Sequence, residues 1–245
     1  MRRRKSIDWK INILSNLVLG IVLISVCAFS LFSKNNLTET SANEAEIYRN
    51  GREENGGVSL MFNVYWGKDE VYQILDILAS HCAKATFFIG GSWADDNVEC
   101  LRSIKEKGHE IGNHGYFHKD HSKLSIKDNE KEIAACNQFI QLSIGVNPTL
   151  FAPPSGAYGN NMLAACKTLG MKTVLWSRDT IDWRDKDENL IYKRATKDIK
   201  SGEFVLMHPM KETCKALDKI LSYYETMSLK AITVSENLQC KNNKS

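Results

Sequence analysis

The sequence lacks three features that would each point to a particular class of protein. It has no C-x-x-C pair, which excludes a structural zinc ribbon. It has no internal repeat and no low-complexity tract. It also has no basic excess beyond residue 32, because that part contains 27 Lys and Arg against 28 Asp and Glu. Nucleic-acid binding needs a basic face on the domain itself, so we expect no nucleic-acid partner.

Cysteine is present but forms no recognisable pattern. Six cysteines follow residue 32 at wide spacing: Cys82, Cys100, Cys136, Cys166, Cys214 and Cys240. Outside the cytoplasm they could form disulfides, although the spacing selects no pairing. Buried free thiols agree equally well with the sequence, since cysteine is a common core residue.

The N-terminus carries a long uncharged run. Residues 11–32 contain no charge and follow a basic segment, residues 1–10. A helix of this length spans about 33 Å, enough to cross a membrane. Basic flanks stay in the cytoplasm, so we expect a single-pass anchor in the cell membrane with the rest of the chain outside. The alternative is a cleaved signal peptide with its cleavage site at residues 26–28.

The remaining chain divides into a polar stalk, a domain and a short tail. Residues 33–57 have no apolar period and predict a flexible stalk. In residues 58–238, short apolar runs alternate with amphipathic stretches, which predicts βαβ units and a mostly parallel sheet. The seven predicted strands favour a closed barrel over a compact doubly wound sheet. Residues 239–245 form the tail.

Polar segments follow the predicted strands, as expected for a site at the carboxyl ends of a parallel sheet. One of them holds three of the six histidines, His114, His118 and His121, within eight positions. Two histidines four residues apart can converge on one cation. Gly112 and Gly115 indicate a loop, however, where the same histidines could simply be solvated. The spacing alone leaves both interpretations open.

Further motifs, in order along the chain, resemble those of the polysaccharide deacetylases, the NodB-homology domain of carbohydrate esterase family 4. The resemblance covers about residues 58–238. Three motifs carry most of it: His-x-x-x-His at His114 and His118, Asp-x-x-Asp-Trp at Asp179, Asp182 and Trp183, and Leu-x-His at Leu206 and His208.

This resemblance implies a distorted parallel (β/α) barrel that removes acetyl groups from an N-acetylated polysaccharide, peptidoglycan-like or chitin-like, in the cell wall. It also implies a divalent metal, usually zinc, held by His114 and His118. His208 would be the general acid, since imidazole titrates near neutral pH.

The sequence departs from the family pattern at three positions. The first motif, Thr-Phe-Asp-Asp-Gly, is stretched, so that its glycine comes only at Gly67. Its base carboxylate falls on Asn63 and its metal-ligand carboxylate on Val64, while the third-motif arginine falls on Ala152. An amide has no useful proton affinity, and a valine side chain cannot bind a metal.

Loss of the base together with the arginine is neutral in charge, which favours a rearranged site. We therefore expect Asp182, with Asp179 nearby, to act as the base, and His121 or Asp120 to replace the lost ligand. We expect four further residues to contact substrate: Asn63, Trp66, Pro153 and Trp183. The alternative function is a catalytically inactive deacetylase fold that binds glycan or a partner at the cell surface.

Overall fold

The structure, a computed structural model, describes residues 47–239. The predicted anchor, most of the predicted stalk and nearly all of the predicted tail lie outside these residues. No helix within residues 47–239 is both long enough and apolar enough to cross a bilayer.

Nine strands in the described residues form one parallel sheet. They are β1 (Ile47–Tyr48), β2 (Gly57–Val64), β3 (Thr86–Ile89), β4 (Glu110–Asn113), β5 (Leu150–Phe151), β6 (Lys172–Val174), β7 (Arg178–Asp179), β8 (Phe204–Met207) and β9 (Lys230–Ala231). Their order is β1-β6-β5-β4-β3-β2-β8-β7, and β9 pairs with the start of β2. The predicted parallel sheet is confirmed.

Helices connect the strands. They are α1 (Lys68–Ser80), α2 (Gly91–Asp96), α3 (Val98–Glu106), α4 (Ile126–Ile144), α5 (Asn160–Thr168), α6 (Asp182–Asp185), α7 (Glu188–Thr196), α8 (Lys211–Thr226) and α9 (Val234–Leu238). Local signals set several ends. Ser125 caps α4 by accepting a hydrogen bond from the backbone N–H of Asp128, and Gly145 ends the same helix with a left-handed φ of 69°.

The sheet curls without closing into the barrel that we expected. Strands β1 and β7 are the ends of the hydrogen-bonded path within residues 47–239, and they do not pair with each other. An isolated antiparallel bridge instead joins Asn50, just after β1, to Glu203, just before β8. The closed barrel is therefore wrong. Strands of two or three residues on this side are too short to continue the ladder.

The predicted boundary between stalk and domain lies too late in the chain. Strand β1 pairs with β6, with Ile47 opposite Thr173 and Tyr48 opposite Val174. Gly51 N–H then donates to the Gly202 carbonyl at 2.7 Å. Residues 47–57 therefore belong to the domain. A strand of two residues among polar neighbours is too short to show an apolar period.

Successive residues of strand β2 lie on opposite sides of the sheet, and this determines which of them can reach a site. Leu60, Phe62 and Val64 pack in the cluster that faces the helices, whereas Met61 packs in the cluster inside the curled sheet. The two-residue period of a strand places Asn63 on the same inner side as Met61. Val64, fully buried among the helix-facing residues, is thus not at the third metal-ligand position that the motif comparison gave it.

The cysteines of the described residues are free thiols. Cys100, Cys136, Cys166 and Cys214 are buried, and Cys82 is exposed. The structure agrees with the buried-thiol alternative for these four residues. Cys240 lies outside the described residues.

His81, which ends α1, joins that helix to α8 through two carboxylates. Its Nδ1 lies 2.8 Å from Glu225 Oε1, and its Nε2 lies 3.0 Å from Asp218 Oδ1. Burial lowers the pKa of His81, but the hydrogen bonds and charges of Asp218 and Glu225 together outweigh it and raise the pKa above 6.5. The protonated ring therefore stabilises the packing of α1 on α8.

We expect His81→Gln to lower the free energy of unfolding by about 0.5–1 kcal/mol near pH 5.5, the range for a partly exposed ion pair, and to change it little near pH 9. The folded pKa lies above the unfolded value, so the stabilisation is complete below pH 6.5 and is lost as the pH rises through the folded pKa. Urea unfolding at both pH values measures the difference. An equal loss of unfolding free energy at both pH values would mean that the shape of the His81 side chain, not its charge, stabilises the packing.

Candidate active site

A cavity of about 320 Å³ opens where the strands end. The loops and turns that follow the strands contribute its walls, as expected for a parallel sheet. Its lining residues are Asn63, Trp66, His114, His118, Ser155, Trp176, Asp179, Trp183, Leu206 and His208. Seven of the ten predicted site residues are among them. The other three, Asp182, His121 and Pro153, are not.

Asp182 lies behind His208, in a position different from the one expected of a base. Its Oδ1 accepts hydrogen bonds from His208 Nδ1 at 2.8 Å and from Trp183 N–H at 2.9 Å. Its Oδ2 accepts from His208 N–H and from Thr213 Oγ1, both at 2.7 Å. The side chain is fully buried, and both oxygens are engaged twice. Asp182 therefore orients His208, and with both oxygens engaged the geometry does not favour the predicted role as base.

Trp66 covers the ring of His208. The two rings are nearly parallel, at 6°, with centroids 5.5 Å apart. The indole N–H points to Met210 Sδ at 3.3 Å, which fixes the ring plane. The stretched first motif thus brings an aromatic face onto the His208 ring, while Asp182 holds its Nδ1 edge. Nε2 remains as the ring nitrogen that can exchange a proton.

His114 and His118 bring two further imidazoles to the cavity beside that of His208. His114 Nδ1 donates to the Ala152 carbonyl oxygen at 2.7 Å, which leaves Nε2 as an acceptor. Burial lowers the pKa of His114 to about 3, so the ring is neutral at physiological pH. Burial also lowers the pKa of His118, whose ring centroid lies 5.1 Å from that of His114. Neutral imidazole is the form that binds a metal ion.

His121 does not complete this pair. Its Nδ1 donates to Asn129 Oδ1 at 2.6 Å, and its fully buried ring packs on Phe151. Its Nε2 lies directly beneath Gly115, where an added Cβ would come within 2.8 Å. The side chain thus fills space under the loop, outside the cavity. Its Nε2 has no hydrogen-bond partner among the described residues, but the short turn at residues 121–123 directs the ring towards α4, and the structure does not group His121 with His114 and His118.

The donors present fit a divalent ion only in part. No group of three His, Cys, Asp or Glu side chains within residues 47–239 is close enough to hold a metal ion. Asp120, the other replacement that we considered, is bound to Ser122 and Lys123. Besides His208, the cavity thus supplies two imidazoles, those of His114 and His118, and no third His, Cys, Asp or Glu of the described residues is close enough to complete a typical zinc site with them.

A buried clamp on α4 holds the histidine loop, and sequence reasoning missed it. Glu132 Oε2 accepts from the Phe117 N–H at 2.9 Å, and its Oε1 pairs with Lys119 Nζ at 2.6 Å. Asn113 Oδ1 accepts from the Gly115 N–H at 2.7 Å. Between these contacts His118 has a φ of 53°, which strains a residue with a Cβ. In the sequence, Glu132 looks like any solvent-facing residue of an amphipathic helix.

A curled parallel sheet with a His-x-x-x-His pair and a buried Asp–His pair at its carboxyl end defines the polysaccharide deacetylase class. The family model described as polysaccharide deacetylase matches residues 50–174. The chain belongs to the polysaccharide deacetylase family, as its motifs indicated.

Two curated relatives differ in how much of their length they share with the chain. YlxY of Bacillus subtilis is 36% identical over 190 residues, which cover 78% of this chain and 59% of that protein. A peptidoglycan-N-acetylglucosamine deacetylase of Bacillus cereus is 34% identical over 183 residues, which cover 71% and 85%. The chain thus spans little more than half of YlxY and most of the second relative.

Among solved structures, a CE4 family pseudoenzyme from Bacillus anthracis is similar in fold. Its TM-score is 0.77 at 31% identity, over 80% of this chain and 69% of that one. A mutant of that pseudoenzyme with restored enzymatic activity has the same TM-score at 29% identity, over 80% and 72%.

We expect Glu132→Ala to weaken binding of a divalent ion at the histidine pair by about tenfold or more. Glu132 holds the loop that carries His118, and without this contact the ligand is no longer kept in position. Glu132→Gln keeps an oxygen that can accept from the Phe117 N–H, so it should stay within about threefold of the parent. Competition with a chromophoric chelator measures the affinity for Zn²⁺.

The control for this pair is Glu130→Ala, a partly exposed position two residues earlier on the same helix. It should bind the ion as the parent does. Equal affinity in Glu132→Ala and the parent, with both folded by circular dichroism, would refute the clamp.

Proposed function

We propose that the cavity binds an N-acetylated cell-wall glycan and hydrolyses its acetamide. The observation that carries this proposal is the pairing of buried Asp182 with His208, in the same cavity as neutral His114 and His118. This arrangement places a proton donor and two metal-binding nitrogens around one space. Amide hydrolysis needs these groups, together with a base.

The substrate class follows from the relatives and the cavity walls. The similar Bacillus cereus protein is named for peptidoglycan N-acetylglucosamine. Trp66, Trp176 and Trp183 line the cavity of this chain, and indole faces stack well on sugar rings. We therefore propose peptidoglycan, or a glycan with the same N-acetylated sugars, as the substrate. We also propose that residues 11–32 hold the domain at the outer face of the cell membrane.

We propose zinc as the cofactor, because imidazole nitrogen is among its preferred ligands. His114 and His118 would hold it. When bound, a divalent ion polarises the acetyl carbonyl and so favours attack by water.

The chain's own residues would move the protons. His208, oriented by Asp182 and covered by Trp66, would give a proton to the leaving amine. Asp179 is the carboxylate among the lining residues; its Oδ1 accepts from the Ile181 N–H at 2.8 Å, which leaves Oδ2 to take the proton of the water. Asn63 lies on the inner side of β2, where it can orient a water but cannot deprotonate it.

Glycan binding without turnover is a second function that one observation favours. The family's base position holds Asn63, and Val64 packs among the helices instead of near the histidines. The similar fold from Bacillus anthracis is itself named a pseudoenzyme. Under this alternative the cavity would hold the same glycan, and no acetate would be released.

We expect the double variant His114→Ala, His118→Ala to lose stoichiometric zinc, since it removes both proposed ligands. The metal content of the purified full chain, measured by mass spectrometry, tests this. His121→Ala is the matched control and should keep the ion, because its ring lies outside the cavity. The same zinc content in the double variant and the parent would end the metal proposal.

We expect the full chain with zinc to release acetate from N-acetylglucosamine oligomers, and Asp179→Asn to slow this by about 10²-fold or more, as removal of a general base does. His208→Gln should be similarly impaired, whereas His81→Gln, a histidine remote from the cavity, should match the parent. Asn63→Asp adds a carboxylate on the inner side of β2 and should raise the rate.

The outcomes separate the two functions. If the parent binds the oligomer but releases no acetate, and Asn63→Asp does, the chain is a glycan-binding member that lost its base. If acetate release by the parent is unchanged in Asp179→Asn, Asp179 is not the base.

A further inference from the structure

Asn63 carries a buried acceptor atom without a donor. Its side chain is 4% exposed and lines the cavity. Its Oδ1 accepts no hydrogen bond within residues 47–239. Buried polar atoms in native proteins are nearly always paired, so an unpaired acceptor that lines a cavity indicates a ligand with a matching donor.

The backbone prevents Asn63 from finding a partner elsewhere. Strand β2 is central in the sheet, and its register sets Asn63 opposite Phe88 of β3. Val64 and Phe62, on either side, pack against the helices. The amide is therefore held on the inner side, and a hydrogen-bond donor has to come from the cavity.

Most of the groups that line the cavity around this amide are aromatic or apolar. Trp176 and Leu206 supply apolar lining. Asp179 is the carboxylate of the lining, and its Oδ1 is already occupied by the Ile181 N–H.

An acetamido group matches these surroundings better than an amine does. Its N–H is a neutral donor, and its methyl group can pack on apolar lining. The amine of a deacetylated sugar is largely protonated near pH 6, and a buried cation needs an opposing charge. Asn63 offers an acceptor oxygen but no such charge, whereas a carboxylate in its place would offer both.

We infer that Asn63 is a specificity-determining residue whose Oδ1 accepts the N–H of the intact acetamido group, so that the cavity retains N-acetylated glycan and rejects the deacetylated one. This inference rests on the proposed function, because it concerns the same cavity and the same class of glycan. On this inference, the replacement of the family's carboxylate by asparagine changes which ligand the cavity prefers.

The test compares two ligands on the full chain near pH 6: the N-acetylglucosamine tetramer and its fully deacetylated counterpart. Calorimetry after a chelator has removed divalent ions gives the affinities without turnover, and the acetate signal in NMR checks that the acetylated ligand stays intact. We expect the parent to prefer the acetylated tetramer by about tenfold, the scale of one hydrogen bond with a buried acceptor. Asn63→Leu should lose most of this preference by binding the acetylated tetramer more weakly.

Asn63→Asp is nearly the same size as the parent side chain and should bind the deacetylated tetramer better than the parent does. The control is Asn189→Leu, an exposed asparagine on α7, which should behave as the parent. If Asn63→Leu fails to fold, the comparison of Asn63→Asp with the parent still decides, because a reversed preference needs the charge at this position.

The failures are distinguishable. If the parent binds neither tetramer, the proposed function is wrong and this inference with it. If the parent binds both equally, or Asn63→Leu and Asn63→Asp bind as the parent does, the cavity is a glycan site and Asn63 does not select the ligand. If Asn63→Leu loses bound zinc while keeping the preference, its Oδ1 faces the ion and the inference is overturned.

Discussion

One buried carboxylate, that of Asp182, joins the segments that form the cavity. Its four hydrogen bonds reach the backbone and ring of His208 after β8, the backbone of Trp183 in α6 and the hydroxyl of Thr213 in α8. Each donor would be unpaired without it, and an unsatisfied buried group costs about 1–3 kcal/mol. The orientation of His208 and the packing of α6 and α8 therefore depend on the same atom pair. This explains how the Asp–His pair can persist in a chain whose base position has changed.

Much of the fold could be predicted, because strands, helices and their alternation leave a period in the sequence. Strand β1 could not, since two residues carry no period. The side on which Val64 lies was within reach of the sequence: Leu60, Phe62 and Val64 alternate with Met61 and Asn63. The motif comparison placed two adjacent carboxylate positions on adjacent residues of this strand and overlooked that alternation, so that the metal-ligand position fell on a helix-facing side chain.

The site was harder to predict than the fold because its support comes from residues far away in the sequence. Thr213 and Glu132 carry no motif, and their partners become neighbours only through packing. His121 follows His118 by three residues, yet a turn instead of a helix separates them, so that its ring points towards α4. Strain shows the same dependence. His118, Ser155 and Ile181 have φ values of 53°, 55° and 53° beside the cavity. Such strained angles persist only where the surrounding structure holds the backbone in place.

The charges around the cavity indicate that glycan binding needs fewer specific groups from the chain than hydrolysis does. The resemblance implies a carboxylate and an arginine where this chain has Asn63 and Ala152, and burial keeps His114 neutral. Binding a neutral acetamide needs only a fixed acceptor and apolar walls, and β2 with the surrounding indoles provides both. Hydrolysis needs in addition that a water contact Asp179 and the acetyl carbon together. Under the proposed function, binding would therefore rest on residues that the sheet holds in place, whereas turnover would rest on the carboxylate of Asp179 at the end of β7, a strand of two residues at the edge of the sheet.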